Sequence, residues 1–326
     1  MKSTVVPGTT EGVAKPLLER TSARSPHDVA VASNPEFLSE GSMVRDALRP
    51  ARVILGASDA RAIKLLRGLY RPFGAPVHLF PPAGAELVKY ASNEFLAMKV
   101  SFANETSRLA EHFGLDIDSI ADAVGSDPRI GRRFLNAGPG FGGSCFEKDV
   151  RALTTMGRSI AIPIRLGEAT LKVNQDQTEH AVELVRRAVG GVRRPTVAIL
   201  GLAFKEGTDD VRGSRAFPLV ESLLHDGSRL RLHDPVALEA FRREWTSRDR
   251  APASELVFAS SVPEALDGAD AAVLQAAWPE YLRWPSSWSR RMRNRLVVDL
   301  RRALSARTVK SAGLTVVSLG RAGGPP

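Results

Sequence analysis

The spacing of apolar positions gives the chain three textures. Between Ala83 and about Phe113 no glycine or proline interrupts after Gly84, and Leu87, Tyr90, Ala91, Phe95, Met98, Phe102 and Leu109 keep a three-to-four period for most of the length. That period marks one face of a helix, and a helix of that length runs roughly 45 Å, enough to bridge two domains. Helical periods recur over 117–124, 148–156 and 166–189, so 83–190 reads as an all-helical middle segment. After Gly190-Gly191 and Arg193-Arg194-Pro195, short apolar runs alternate with helical stretches. Strands are predicted over 196–200, 230–233, 256–259, 271–274, 296–298 and 314–318, with helices between them, among others over 218–224 and 238–245. Strands that alternate with helices imply βαβ units and a doubly wound parallel sheet.

The first 80 residues read as pieces of an α/β domain. Strands are predicted over 3–6, 29–32, 52–56 and 76–80, and Thr9 and Thr10 are placed to cap a helix that runs to about residue 20. A strand that begins at residue 3 has no earlier chain to supply parallel neighbours, so part of this domain is expected to be missing upstream. The division that follows is an α/β remnant over 1–82, a helical middle over 83–190 and a Rossmann-like sheet over 191–326. The tail 321–326 is expected to be disordered.

One stretch carries the chemistry: Gly140-Phe141-Gly142-Gly143-Ser144-Cys145-Phe146-Glu147-Lys148-Asp149, which holds the only cysteine. Glycines allow positive φ and close backbone approach. The residues after Ser144 read as a helix start, so the positive end of a helix dipole faces the sulfur, the setting of reactive cysteines. Asp149, at i+4, shares that face. A thiol nucleophile beside a carboxylate suggests covalent chemistry on a carbonyl. A lone cysteine can instead be structural core; the glycine run and Asp149 favour the reactive reading. Gly138 to Gly143 also fits G-x-G-x-x-G, but no strand precedes it and Pro139 interrupts it, so it fails as a dinucleotide loop. Lys89 and Asn93, four apart on the long helix, share a second face. In the carboxyl-terminal sheet, ligands bind off the carboxyl ends of the strands, where Gly201-Leu202-Ala203-Phe204-Lys205, His233-Asp234-Pro235 and Asp299-Leu300-Arg301-Arg302 fall.

Composition changes this picture little. At 326 residues, 43% hydrophobic and 25% charged, the chain is an ordinary globular protein of about two domains. The net charge of +9 invites a nucleic-acid reading. Arginines spread through most helices and only 6% aromatic residues leave no stacking platform, so a phosphorylated small molecule is the better partner. A single cysteine excludes an internal disulfide and fits a reducing cytoplasm. No apolar run reaches the roughly 18 residues of a membrane span. The six histidines show no paired metal-ligand spacing, so no metal site is expected.

Five landmarks in order carry a resemblance: Lys2-Ser3-Thr4-Val5; Asn34-Pro35-Glu36-Phe37-Leu38-Ser39-Glu40-Gly41; Leu87-Val88-Lys89-Tyr90-Ala91-Ser92-Asn93; the Cys145 stretch; and Gly201-Leu202-Ala203-Phe204-Lys205 continuing to Asp210-Val211-Arg212. Together they resemble the UDP-glucose/GDP-mannose dehydrogenase family, and most closely its UDP-glucose 6-dehydrogenases. Family members begin with a complete NAD-binding Rossmann domain. The resemblance therefore implies that most of that domain is lacking here, including G-x-G-x-x-G and the acidic residue about 20 residues beyond it.

The resemblance further implies NAD as cofactor, a UDP-sugar as substrate, a homodimer or higher homo-oligomer, and oxidation of a sugar C6 alcohol to an acid through a thiohemiacetal and thioester on Cys145. Lys89 and Asn93 would stabilise the C6 oxygen, Asp149 would act as or position a base, Glu36 would serve thioester hydrolysis, and Thr4 would hold a water. Substrate contacts would come from Glu36, Phe37, Leu38, Ser39, Lys89, Asn93, Phe134, Leu135, Asn136, Ala137, Gly138, Gly142, Lys205 and Arg301. Arg129 would reach across the dimer interface. Thr4, Glu40, Lys148 and Arg212 would face the cofactor. Two further readings are a nucleotide-sugar-binding remnant without catalysis and the same chemistry on GDP-mannose or a UDP-N-acetyl hexosamine.

Overall fold

The computed structural model describes residues 1–22, 29–248 and 255–321; the tail residues 322–326 lie outside them. The chain divides into two compact units, Met1–Phe95 with Asp149–Gly167, and Leu96–Lys148 with Glu168–Pro326. In chain order, a π-helical turn Thr10–Ala14 continues as α1 (Lys15–Thr21), followed by β1 (Ala32–Ser33), α2 (Met43–Leu48), β2 (Val53–Ala57), α3 (Ala60–Tyr70) and β3 (Val77–Phe80). Four helices come next: α4 (Pro82–His112), α5 (Ile117–Gly125), α6 (Phe146–Ser159) and α7 (Arg165–Val189). Then come β4 (Thr196–Leu200), α8 (Ala216–His225), β5 (Arg229–His233), α9 (Leu238–Ser247), β6 (Leu256–Phe258), α10 (Val262–Leu266) and β7 (Ala271–Leu274). The chain finishes with α11 (Pro279–Arg283), α12 (Ser286–Ser289), β8 (Leu296–Asp299), α13 (Ala306–Ala312) and β9 (Thr315–Ser318).

In the first unit β2 is the centre of a three-stranded sheet, parallel to β3 and antiparallel to β1. All five β2 residues are buried, as expected for a strand covered on both faces. Residues 3–6, predicted as a strand, form none. The chain pairs only at its start, where Asn34 N–H donates to Met1 O, and the Val6 carbonyl is then taken by Thr9 N–H and Oγ1. Pro7 has no N–H to continue a ladder. The strand predicted over 29–32 shrinks to Ala32–Ser33, whose register meets only Ala57 and Gly56. Thr9 and Thr10 do not cap by side chain. Glu86 from α4 accepts from Gly8 N–H at 2.6 Å and Thr10 N–H at 2.9 Å, supplying the missing acceptors.

The second unit holds a six-stranded parallel sheet in the order β6-β5-β4-β7-β8-β9. Strand order reverses between β4 and β7, the topological switch point of a doubly wound fold. Both strands are buried along their whole length. One side of the sheet packs Val197, Ile199, Leu230 and Leu232 with Phe217, Phe241 and Trp245; the other packs Ala198, Leu200 and Leu274 with Tyr281 and Trp284. Each fully buried Leu or Ile contributes roughly 1.5–3 kcal/mol. The carboxyl-terminal end returns to α5: Gly320 O accepts from Ile117 N–H at 2.9 Å, and Glu111 accepts from Gly320 N–H at 2.6 Å. Arg302 bridges Asp116, Asp118 and the Leu319 carbonyl.

The predicted long helix is α4, 31 residues, but only part of its predicted apolar face is buried. Ala85, Glu86, Lys89, Tyr90, Asn93, Ala97, Ser101 and Asn104 are buried, whereas Leu87, Phe95, Phe102 and Leu109 are each 46–58% exposed. The helix was legible from its period; its inward face carries small and polar residues in place of most of the large apolar ones. No helix among the described residues is long and apolar enough to cross a membrane.

Candidate active site

In the first unit α4 presents Lys89 and Asn93 one turn apart. Lys89 is 4% exposed, and its Nζ lies 3.2 Å from Glu36 Oε1. Glu36 is held in turn because its Oε2 accepts from Leu38 N–H at 2.6 Å. The Phe37 ring lies 5.3 Å from Lys89 Nζ and 4.4 Å from the Arg52 guanidinium. Asn93 Nδ2 donates to Asp149 Oδ2 at 2.6 Å, and Asp149 is 1% exposed. Two carboxylates thus orient one amine and one amide. A buried ammonium with an amide N–H beside it can stabilise developing alkoxide charge. Leu38 and Ser39 are exposed on the turn that follows, Ser39 N–H bonding Asp46 at 3.1 Å, while Thr4 and Glu40 are half-buried.

In the second unit Cys145 is exposed, immediately before the first residue of α6. Its Sγ lies 3.6 Å from Ser144 Oγ. The loop before it is fixed from several sides. Gly140 and Gly143 have φ of 111° and 85°, which side-chain-bearing residues avoid. A Cβ on Gly142 would strike the Gly213 carbonyl, and one on Gly143 would come within 2.8 Å of the Phe204 ring. These glycines therefore let the loop lie against the connection between β4 and α8. Gly143 N–H donates to Arg212 O at 3.0 Å in the same contact.

Arg301 lies at the switch point. It donates to the carbonyls of Gln275 and, at 3.0 Å, Phe204, and a Cβ on Gly138 would sit 3.5 Å from its Nη1. Burial pushes its guanidinium down to about 10, with Glu206 and Asp299 opposing the shift. Lys205 Nζ lies 5.4 Å from the Phe204 ring. The second unit thus places Gly142, Lys205 and Arg301 around Phe204, with Gly138 beside Arg301. Leu135 and Ala137 are buried and Asn136 is exposed, bonded to Arg132 at 2.7 Å. Phe134 is exposed with φ of 67°, a strained backbone for an aromatic residue. Arg129 stands 88% exposed, chelated by Asp127. Arg212 is likewise chelated by Asp210, and Lys148 is exposed.

Sequence reasoning missed the residues that hold the loop. Asn174 accepts from Phe141 N–H at 2.7 Å and donates to Phe141 O at 3.1 Å, Gln177 donates to Gly138 O at 2.9 Å, and Thr178 donates to Pro139 O at 3.0 Å. Asn104 accepts from Gly138 N–H at 2.9 Å. The available signal was polar spacing of three and four on α7, where a surface helix would place apolar residues. Arg215 was missed too; its Nε donates to Phe141 O at 2.8 Å and its Nη2 to Glu147 at 3.0 Å.

Three models of the UDP-glucose/GDP-mannose dehydrogenase family match: the NAD binding domain over residues 1–74, the central domain over 83–176 and the UDP binding domain over 198–306. The expectation that most of the NAD-binding domain is lacking is thus not borne out. It rested on the missing G-x-G-x-x-G run and on a first predicted strand without earlier neighbours, whereas the match over 1–74 spans β1 and β2. The chain is 35% identical over 321 residues to UDP-glucose 6-dehydrogenase TuaD of Bacillus subtilis, covering 98% of this chain and 68% of that protein. It is 40% identical over 314 residues to UDP-glucose 6-dehydrogenase AglM of Haloferax volcanii, covering 94% and 70%. A UDP-glucose dehydrogenase structure from Pyrobaculum islandicum superposes with a TM-score of 0.86 at 40% identity, over 99% of this chain and 70% of that one. The chain belongs to the UDP-glucose/GDP-mannose dehydrogenase family.

Proposed function

We propose that this chain is an NAD-dependent UDP-glucose 6-dehydrogenase that oxidises UDP-glucose to UDP-glucuronate in the cytoplasm, with a fold divided as 1–82, 83–190 and 191–326. The observation that carries the chemistry is the buried Lys89 amine and Asn93 amide, each held by a carboxylate. The relatives AglM and TuaD support the substrate. NAD, one molecule for each of the two oxidations, would supply the hydride acceptor. Thr4, Glu40, Lys148 and Arg212 would hold it; two cations suit its diphosphate, and both are exposed. Asp149 takes or relays the C6 hydroxyl proton as the alcohol is first oxidised. Lys89 and Asn93 stabilise charge on the C6 oxygen. The Cys145 thiolate adds to the aldehyde carbon, forming a thiohemiacetal; a second oxidation gives a thioester. Glu36 activates the water, positioned with Thr4, that cleaves the thioester and releases the thiolate and the carboxylate.

Glu36 to Ser39, Phe134 to Gly138, Gly142, Lys205 and Arg301 contact the nucleotide sugar in this reading. The working form is a homodimer in which Arg129 serves the partner's site, and the exposed Phe102 and Leu109 of α4 lie in its interface. Light scattering checks the assembly: Phe102→Glu is expected to give a monomer. The activity test supplies UDP-glucose and NAD and follows NADH and product mass. Two NADH per UDP-glucuronate are expected, and Cys145→Ser is expected to lower acid formation by roughly 10³-fold or more. No NADH from UDP-glucose, or turnover confined to GDP-mannose or a UDP-N-acetyl hexosamine, overturns the assignment.

A further inference from the structure

We infer that Arg215 is a positioning residue for Cys145, on the reading of that cysteine as nucleophile. Arg215 is the residue immediately before α8 and makes no capping bond there. A cation at that end of a helix opposes the macrodipole, so local preference does not explain it. Its side chain is only 14% exposed. The guanidinium reaches both shoulders of the cysteine loop: Nε donates to the Phe141 carbonyl, four residues before Cys145, at 2.8 Å, and Nη2 to the Glu147 carboxylate, two residues after it, at 3.0 Å. Asn174 holds the Phe141 peptide from another side.

Two effects follow. The span between residues 141 and 147 is fixed, which fixes where the sulfur stands at the start of α6. Glu147 is also an anion in the first turn of α6, where it competes with a thiolate for the positive end of the helix and repels it. Arg215 draws that carboxylate aside and neutralises it, leaving the helix end to the sulfur. The same connection between β4 and α8 carries Lys205 and Arg212 and forms the floor under Gly142 and Gly143, so the nucleophile is set by the segment to which the nucleotide sugar is assigned.

Because the chain has one cysteine, alkylation by iodoacetamide, followed by intact mass on the full chain, reports that sulfur alone. Arg215→Met is expected to slow alkylation about fivefold or more at neutral pH and move its pH–rate profile upward. It is expected to lower kcat roughly 10- to 100-fold while leaving KM for UDP-glucose within about threefold. Arg215→Lys is expected to recover most of both losses, and adding Glu147→Gln to Arg215→Met is expected to return the pH profile toward the parent's. A folded Arg215→Met chain whose alkylation and kcat stay within about twofold of the parent overturns the proposal. Should Arg215→Met fail to fold, Glu147→Gln alone decides: faster alkylation with the profile moved to lower pH supports the role, and an unchanged profile overturns it. Alkylation needs neither nucleotide sugar nor cofactor. A parent chain that never turns over UDP-glucose therefore overturns the functional reading, and the alkylation comparison still decides this one.

Discussion

The pairing of Lys89 with Glu36 and of Asn93 with Asp149 separates what spacing reveals from what it hides. Two polar residues four apart on a helix share a face by geometry, so their adjacency was readable. Their carboxylate partners lie 53 and 56 residues away in sequence, and no local pattern announces such contacts. Glu36 and Asp149 were legible only through the motifs around them. The pairs predict distinct losses. Lys89→Met removes the cation that stabilises the C6 oxygen and is expected to lower kcat by about 10²–10³-fold, read in steady-state kinetics. Asn93→Ala takes a donor from the buried Asp149, and its expected added cost is a stability loss of roughly 1–3 kcal/mol, read by denaturant unfolding. A kcat loss for Lys89→Met below about threefold would exclude its role.

Elements were more legible than their ends. The six strands after residue 195 and the four middle helices fall where hydrophobic period placed them, because buried parallel strands and amphipathic helices write period into composition. The start of the first helix was misread. Thr9 and Thr10 look like caps, yet a carboxylate from α4 does that work through Gly8 and Thr10 N–H. Capping from a distant helix leaves no local trace. Glu86→Ala is expected to cost about 1–2 kcal/mol, the range of a lost cap, and to speed hydrogen exchange over residues 8–21 while β2 stays protected. Equal exchange in that segment would show that the cap contributes nothing. The Cys145 loop was found by its glycines, and two of them, Gly142 and Gly143, make room for Gly213 and Phe204, a contact no local pattern announces.

For the molecule as a whole, acidity is the relevant lever. Burial lowers His233 below its ordinary 6.5 against the pull of Glu280, Asp234 and Glu264, so the fold keeps it neutral beside Tyr281. Burial raises Glu111, but the bonds from His180 and Gly320 N–H outweigh it and leave the carboxyl below its ordinary 4.5. Both folded values lie under the unfolded ones. Stability from each is therefore complete above the unfolded value and is lost as pH falls toward the folded one. The melting temperature is expected to hold from pH 8 to about 6.5, to decline as His233 charges, and to decline again below about 4.5. His233→Gln should flatten the first decline in a calorimetric series; an unchanged slope would remove His233 as its source. The seam that Gly320 closes onto Ile117 has one more consequence, for the order in which the protein can be made. Helix α5 takes its first backbone partner from a residue translated some two hundred codons later, so during synthesis that helix waits with an open end. A released chain ending at Leu319 is expected to carry a finished sheet and an unlatched α5, prey to protease for want of the one carbonyl that closes the seam.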